Sequence, residues 1–242
     1  MSIYQNKITL SHIKKSFGTA EILKDISLEV KEGQVVALLG PSGSGKSTIF
    51  NLITGLIVPE EGTIDVNGKV GYMYQNDTMV PWKKVIDNIA LPLRFQGMKK
   101  REAREKVVGY LDTFGLLGYE DKYPGMLSGG MKQRANFLKT YLTSGDIILL
   151  DEPFGALDSM TRKKMQSWLL SVTKEMGATI LLITHDIEEA IFLADKVYVL
   201  SDKPATILGE VQVAFDAERT EATLLEERFL LYKKEITDIL QS

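Results

Sequence analysis

The chain has 242 residues, 44% of them hydrophobic and 25% charged, enough for one large domain or a domain with a smaller subdomain. The formal net charge of -3 argues against a nucleic-acid footprint, and the absence of cysteine removes disulfides and thiolate metal sites. No apolar run approaches the roughly 20 residues of a membrane-crossing helix, and MSIYQNKITL lacks the basic start and apolar core of a secretory signal. The expectation is therefore a soluble, cytoplasmic protein.

The stretch up to Val35 reads as β structure. Ile8, Leu10 and His12 alternate with polar neighbours, ISLEV at 26–30 alternates again, and Glu32-Gly33 supplies a turn. VVALL at 35–39 is a continuous apolar run ending in a glycine-rich loop, the pattern of a strand buried on both faces of a parallel sheet. A helix is expected over 46–55. EEGTIDVNGKVGYMYQ at 60–75 reads as a short hairpin returning to a strand that ends near Gln75. The middle is helical over 81–96, 99–114 and 128–143, with breaks at Gly97, Gly115, Gly118 and Pro124. Strand and helix then alternate: strand 147–151, helix 160–176, strand 178–184, helix 186–194, strand 196–200. In the first of these helices Met165, Leu169, Val172 and Met176 mark one buried face. Near the end, Leu225, Phe229, Tyr232, Ile236 and Ile239 recur at helical spacing and predict a helix packed on the core. The alternation implies an α/β domain with a mostly parallel sheet, interrupted by a long helical insert between Gln75 and Asp151.

GPSGSGKS at 40–47 follows a strand and opens a helix, the context a phosphate-binding loop requires. Gly40, Gly43 and Gly45 let the backbone curl so that several N–H groups face phosphates, and Pro41, Ser42, Ser44, Ser47 and Thr48 complete the loop and helix start as nucleotide-binding candidates. Lys46 is expected on the β- and γ-phosphates, and the Ser47 hydroxyl on Mg²⁺. Asp151 ends an apolar strand and so emerges at the carboxyl edge of the sheet, where it can hold Mg²⁺. Glu152 follows as the candidate that polarises an attacking water. Taken alone, the pair also reads as surface acids ending a strand.

LSGGMKQ at 127–133, DEPFGALD at 151–158, Gln75 after a strand and THD at 184–186 occur in one order along the chain. Together they resemble an ABC-type ATPase subunit, over essentially the whole length. The resemblance implies a P-loop NTPase (ABC ATPase) α/β core with a mostly parallel sheet, an N-terminal antiparallel β subdomain and a helical subdomain. One domain would span 1–242, its core 1–75 and 145–242 and its helical part about 76–144. It implies ATP and Mg²⁺ as ligands, with two ATPs sandwiched in a head-to-tail dimer in which Ser128, Gly129, Gly130 and Gln133 of one subunit cap the ATP of the other. By resemblance Gln75 senses Mg²⁺, with Ser47 and Asp151 completing the metal set, His185 faces the γ-phosphate, Asp158 lies at the dimer seam, and Phe17 stacks on adenine. The residues alone leave blander readings open: Ser128 and Asp158 as helix N-caps, Gln75 as polar surface, His185 as structural, Phe17 as core.

The segment 76–93, with Met79, Val80, Pro81 and Trp82, is a candidate docking loop for separate multi-span permease subunits; Trp82 packed inside the helical part is the alternative. With LSGGMKQR and THDIEEA, it resembles ATPases of nitrate, sulfonate, taurine and thiamine-precursor importers. That implies a peripheral place on the cytoplasmic face of the membrane, a homodimer or paired ATPase, and a substrate-binding protein as an indirect partner. RANFLKTYL around Lys139, and Gly125-Met126 before LSGG, depart from the usual pattern of the family. Exporter ATPases share these motifs, and so do DNA-repair and translation ATPases. The stretch between Lys46 and Leu127, however, holds neither sustained heptads nor cysteine, and only one ATPase motif set is present.

Overall fold

The computed structural model describes residues 5–241; the first four residues, where the segment tested for a signal begins, lie outside this range. In chain order the strands are β1 (Asn6–Phe17), β2 (Ala20–Lys31), β3 (Val35–Leu39), β4 (Glu61–Val66), β5 (Val70–Met73), β6 (Ile147–Asp151), β7 (Thr179–Thr184), β8 (Lys196–Leu200) and β9 (Ala205–Gln212). The helices are α1 (Lys46–Ile53), α2 (Val85–Ile89), α3 (Leu91–Phe95), α4 (Lys100–Leu111), α5 (Gly129–Ser144), α6 (Ser159–Met176), α7 (Ile187–Leu193) and α8 (Glu227–Gln241). No helix among the described residues is long and apolar enough to cross a membrane. Two compact units emerge, one of Met1–Gly68 with Gly177–Ser242, the other Lys69–Met176.

In the first unit the strand order is β4-β1-β2-β9-β8-β3-β7. Pairing is antiparallel in β4-β1-β2 and parallel at β8-β3-β7, so an antiparallel N-terminal part adjoins a parallel core. β7 and β8 are buried along their whole length, including Thr179 and Thr184 at the ends of β7 and Lys196 at the start of β8. β1 departs from simple alternation. His12 takes a left-handed φ of 54° at a register shift between Leu10 and Ile13, so Ile13 points to the core and His12 is exposed. The expected hairpin over 60–75 does not form. β4 pairs with β1, where the Asn67 amide donates to the Lys7 carbonyl at 2.8 Å, and β5 belongs to the other unit. α8 buries Phe229 and Ile236, but Leu225 stands in a preceding 3-10 turn and is 86% exposed. Gly209 of β9 lies under Ile239, where a Cβ would come within 3.1 Å of its Cδ1.

In the second unit β5 and β6 pair in parallel, Tyr72 opposite Leu149 and Met73 opposite Leu150. Gly71 admits α5 against the strand: a Cβ there would stand 2.7 Å from the Thr140 carbonyl oxygen. Trp168 meets Phe114 and Phe137 edge-to-face at 5.5 and 5.6 Å between centroids, and the two phenylalanines lie tilted 6.0 Å apart. On α6 the buried face is Met165, Leu169, Val172 and Thr173; Met176, at the frayed end, is only half-buried. The single helix expected over 81–96 is two short helices meeting at Ala90, because Pro92 has no amide to donate to the preceding turn.

α4 is joined to α2 by Arg104, whose Nε and Nη2 donate to the two carboxylate oxygens of Asp87 at 2.8 and 2.6 Å. This pairing holds the Asp87 carboxyl below its usual range despite partial burial. A depressed folded-state value means stability that is present above the unfolded value of about 3.9 and lost as pH falls through the folded one. Arg104→Ala is therefore expected to destabilise the protein at pH 7, with the gap to wild type narrowing below about pH 4 in urea unfolding series at both pH values.

Candidate functional site

The first unit contributes a phosphate cradle. β3 lies between β7 and β8, with Leu39 opposite both Thr184 and Val199. Gly40 and His185 therefore leave neighbouring strands at the same carboxyl edge, one strand spacing of about 5 Å apart. Gly43 and Gly45 take φ of 82° and 105°, and a Cβ on Gly45 would stand 2.9 Å from Ile22 Cγ2. Two separate constraints thus require glycine at that position. α1 opens at Lys46 with no acidic residue in its first turn, so its positive end is left for an anion.

The Lys46 ammonium donates to the carbonyls of Gly40 and Pro41 at 2.8 and 2.7 Å, keeping the charge over the loop. Ser44 is 1% exposed and its hydroxyl has no hydrogen-bond partner within the protein, a buried polar atom suited to a phosphate oxygen. Ser42 and Ser47 are exposed, Pro41 and Thr48 half-buried. Phe17, at the tip of the β1-β2 turn, is 52% exposed with the Lys15 ammonium 5.4 Å from its ring centroid. That removes the core reading of Phe17. His185 is exposed, and Asp186 beside it caps α7 by accepting from the amides of Glu188 and Glu189 at 2.9 and 3.1 Å. The Asp of THD thus fixes the turn that presents the histidine.

The second unit contributes acids and a helix N-terminus. Asp151 ends β6, whose four preceding residues are buried. Its Oδ2 accepts from the Tyr72 hydroxyl at 2.9 Å, a contact the sequence reading missed. Burial, reinforced by the Asp151 charge, pushes the Tyr72 phenol far above its usual value, so it stays a donor. Glu152 has a left-handed φ of 43° although proline follows, a conformation that costs about 1–3 kcal/mol. Gln75, two residues past β5, donates from Nε2 to Glu152 Oε2 at 3.2 Å, which leaves its amide oxygen for another partner. Within this unit Asp151 and the Gln75 amide oxygen are hard oxygen donors, which suit Mg²⁺ and do not suit softer metals.

Ser128 caps α5, its hydroxyl accepting from the Met131 amide at 3.3 Å. Ser128 and Gly129 are exposed, while Gly130 is buried with Thr161 and Met165 close by. A Cβ on Gly129 would come within 3.0 Å of Leu157 Cδ2, so this glycine also serves close packing. Gln133, one turn along α5, is half-buried. Asp158 accepts from the Met160 and Thr161 amides at 3.1 and 3.0 Å, the geometry of a helix cap. The N-cap reading holds for both Ser128 and Asp158, and neither cap precludes a further contact.

Trp82 is 77% exposed, so it does not pack inside the helical part. Its loop is fixed from beneath by Asn88, which is wholly buried. Asn88 Oδ1 accepts from the Val80 amide at 2.7 Å, and Nδ2 donates to the Val80 and Lys83 carbonyls at 3.0 Å. Lys139, at one of the positions that departs from the family pattern, donates to the Thr78 carbonyl at 3.1 Å and so anchors the same loop from α5.

The profile of the family described as "ABC transporter" matches residues 23–155. The formylaminopyrimidine import ATP-binding protein ThiZ of Halalkalibacterium halodurans is 42% identical over 96% of this chain and 96% of its own. The nitrate import ATP-binding protein NrtD of Synechocystis is 38% identical over 93% of this chain and 90% of its own. The taurine import ATP-binding protein TauB of Escherichia coli O157:H7 is 39% identical over 86% and 85%. Among solved structures, the dimeric post-hydrolysis state of the ATP-binding cassette MJ0796 bound to ADP and Pi superposes with a TM-score of 0.72 at 29% identity, over 86% of this chain and 99% of that one.

Proposed function

Because this chain belongs to the ABC transporter family, we propose that it is the ATP-binding and ATP-hydrolysing subunit of a membrane importer for a small solute. The observation that carries the catalytic part is the shared strand edge, where the Leu39–Thr184 register brings the Gly40 loop and His185 out side by side. The reaction is in-line attack of water on the γ-phosphate of ATP. The loop amides, the α1 N-terminus and Lys46 hold the phosphates, Ser44 adds a hydroxyl, and His185 faces the developing charge. Glu152 orients the water and takes its proton, and Gln75 steadies that carboxylate. Phe17 offers a stacking face to adenine. Ser47, Gln75 and Asp151 would hold Mg²⁺, which supplies charge neutralisation between the phosphates when bound.

The two compact units are read as parts of one ABC ATPase domain, with the core at 1–75 and 145–242 and the helical subdomain at about 76–144. Two copies, or a paired ATPase, act head to tail, with Ser128, Gly129, Gly130 and Gln133 of one copy and Asp158 at the seam completing the site of the other. The permease docks on the Trp82 loop from the cytoplasmic face of the membrane, and the substrate-binding protein acts through the permease. The loop that Asn88 and Lys139 hold in place, with its indole outward, supports this assignment. The relatives are named as ATP-binding proteins for import of formylaminopyrimidine, nitrate and taurine, which supports a small, polar solute.

Purification of the tagged chain from native membranes is expected to recover a multi-span subunit; recovery of nucleic acid or ribosomes instead would overturn the importer reading. Trp82→Ala is expected to weaken that association by about 30-fold or more if the indole is a central anchor. Its effect on thermal stability should stay within about 0.5 kcal/mol, because the side chain is exposed.

A further inference from the structure

We propose that Tyr72 is a positioning residue for Asp151, its hydroxyl fixing the carboxylate that binds the nucleotide's Mg²⁺. The proposal rests on the reading of Asp151 as a metal ligand and adds a residue to it that no motif contains. The hydroxyl donates to Asp151 Oδ2 at 2.9 Å. The ring behind that hydroxyl is itself held. It stacks on Tyr74 with centroids 4.1 Å apart and planes at 21°, and its backbone sits in the β5-β6 ladder opposite Leu149.

Asp151 is the last residue of its strand, and Ile147–Leu150 before it are apolar. A terminal aspartate can populate several χ1 wells. Mg²⁺ demands near-ideal octahedral geometry at about 2.0–2.1 Å, so a freely rotating carboxylate is a poor ligand for it. A donor anchored on the neighbouring strand selects one rotamer and so fixes how the carboxylate is presented to the ion or its water. The bond also draws some charge from the carboxylate, which by itself would weaken metal binding. Orientation is the larger effect, because partners that orient a ligand typically contribute 10–100-fold in metal affinity or activity.

Tyr72→Phe keeps the ring and its stack while removing only the hydroxyl. Affinity of the full-length protein for ATP is measured by fluorescent-nucleotide titration, once with Mg²⁺ and once in EDTA. The electron paramagnetic resonance spectrum of bound Mn²⁺-ATP gives a second readout independent of turnover. The expected result is unchanged affinity in EDTA, at least about a 10-fold smaller gain on adding Mg²⁺, and a broadened or shifted Mn²⁺ signal. An unaltered Mg²⁺ gain, or an equal loss with and without the ion, would overturn the proposal. Tyr72→Leu removes the stack together with the hydroxyl and serves as a second variant, read by the same Mg²⁺ gain, should the phenylalanine form fold poorly. Asp151→Asn separates the two levels. If it keeps the wild-type Mg²⁺ gain, the metal-ligand reading of Asp151 fails; if it loses that gain while Tyr72→Phe does not, only the role of Tyr72 fails.

Discussion

Glu152→Gln is expected to lower ATP turnover by about 10²–10⁴-fold, the usual contribution of a general base, while ATP still binds. The substitution is nearly isosteric. The amide oxygen at position 152 can still accept from Gln75 Nε2, now 3.2 Å from the carboxylate, so the local arrangement survives. What disappears is the capacity to take a proton from water. The left-handed backbone at Glu152 points the same way: non-glycine residues hold such a φ where the surrounding structure enforces it, often at functional positions. In the proposed head-to-tail cycle ATP favours the dimer and hydrolysis removes that preference, so the variant should also accumulate as a nucleotide-bound dimer. Phosphate-release assays and size-exclusion chromatography with ATP measure the two effects. Hydrolysis near the wild-type rate would remove Glu152 from its role.

The parts legible from sequence were those written in short-range pattern. VVALL in β3, IILL in β6 and ILLI in β7 are unbroken apolar runs, and such runs fix strands buried on both faces without knowledge of their partners. The phosphate-binding loop is likewise readable because its chemistry needs glycine, lysine and serine at set spacings, whereas LSGG alone reads as a helix N-cap and gains a role only through its place among the other motifs. Pairing was not readable. Residues 60–75 contain two strands joined by Asn67-Gly68, a sequence that looks like a hairpin turn, yet β4 joins β1 and β5 joins β6. That choice depends on partners far away in the chain.

His12 shows the same limit on a smaller scale. A bulge of one residue reverses which side chain meets the core, and alternation alone cannot reveal it. The break at Pro92 could have been read, because proline inside a helical pattern carries its own warning. Tyr72 could not: its partner is 79 positions away, and nothing in VGYMYQ distinguishes a metal-site anchor from strand filler. For Trp82 the sequence leaves packing and docking open; its exposure rules out packing, and hydrogen bonds with Asn88 hold the loop in place.

A mixing experiment gives the second large effect, and it tests how the site is divided between subunits. Lys46→Ala removes the ammonium held over the phosphate loop, and Gly129→Asp places a bulky anion at the exposed start of α5. A Cβ there already meets Leu157 at 3.0 Å, and the added carboxylate would repel phosphate. Each variant alone should be almost without ATPase activity, by about 10²-fold or more, since one lacks a cation that stabilises the transferring phosphoryl and the other sets an anion against it. In a head-to-tail pair the two defects fall together. A mixed dimer has one site with both defects and one with an intact P-loop from the Gly129→Asp chain and an intact LSGG from the Lys46→Ala chain. Equimolar mixing should therefore restore roughly a quarter of wild-type activity if mixed dimers form at random and one site can work alone. Were LSGG to act on the P-loop of its own chain, every chain in the mixture would carry a broken site and no activity would return. The wild-type protein, diluted until dimers are rare, should lose specific activity in the same assay, because each half of the site then lacks the other.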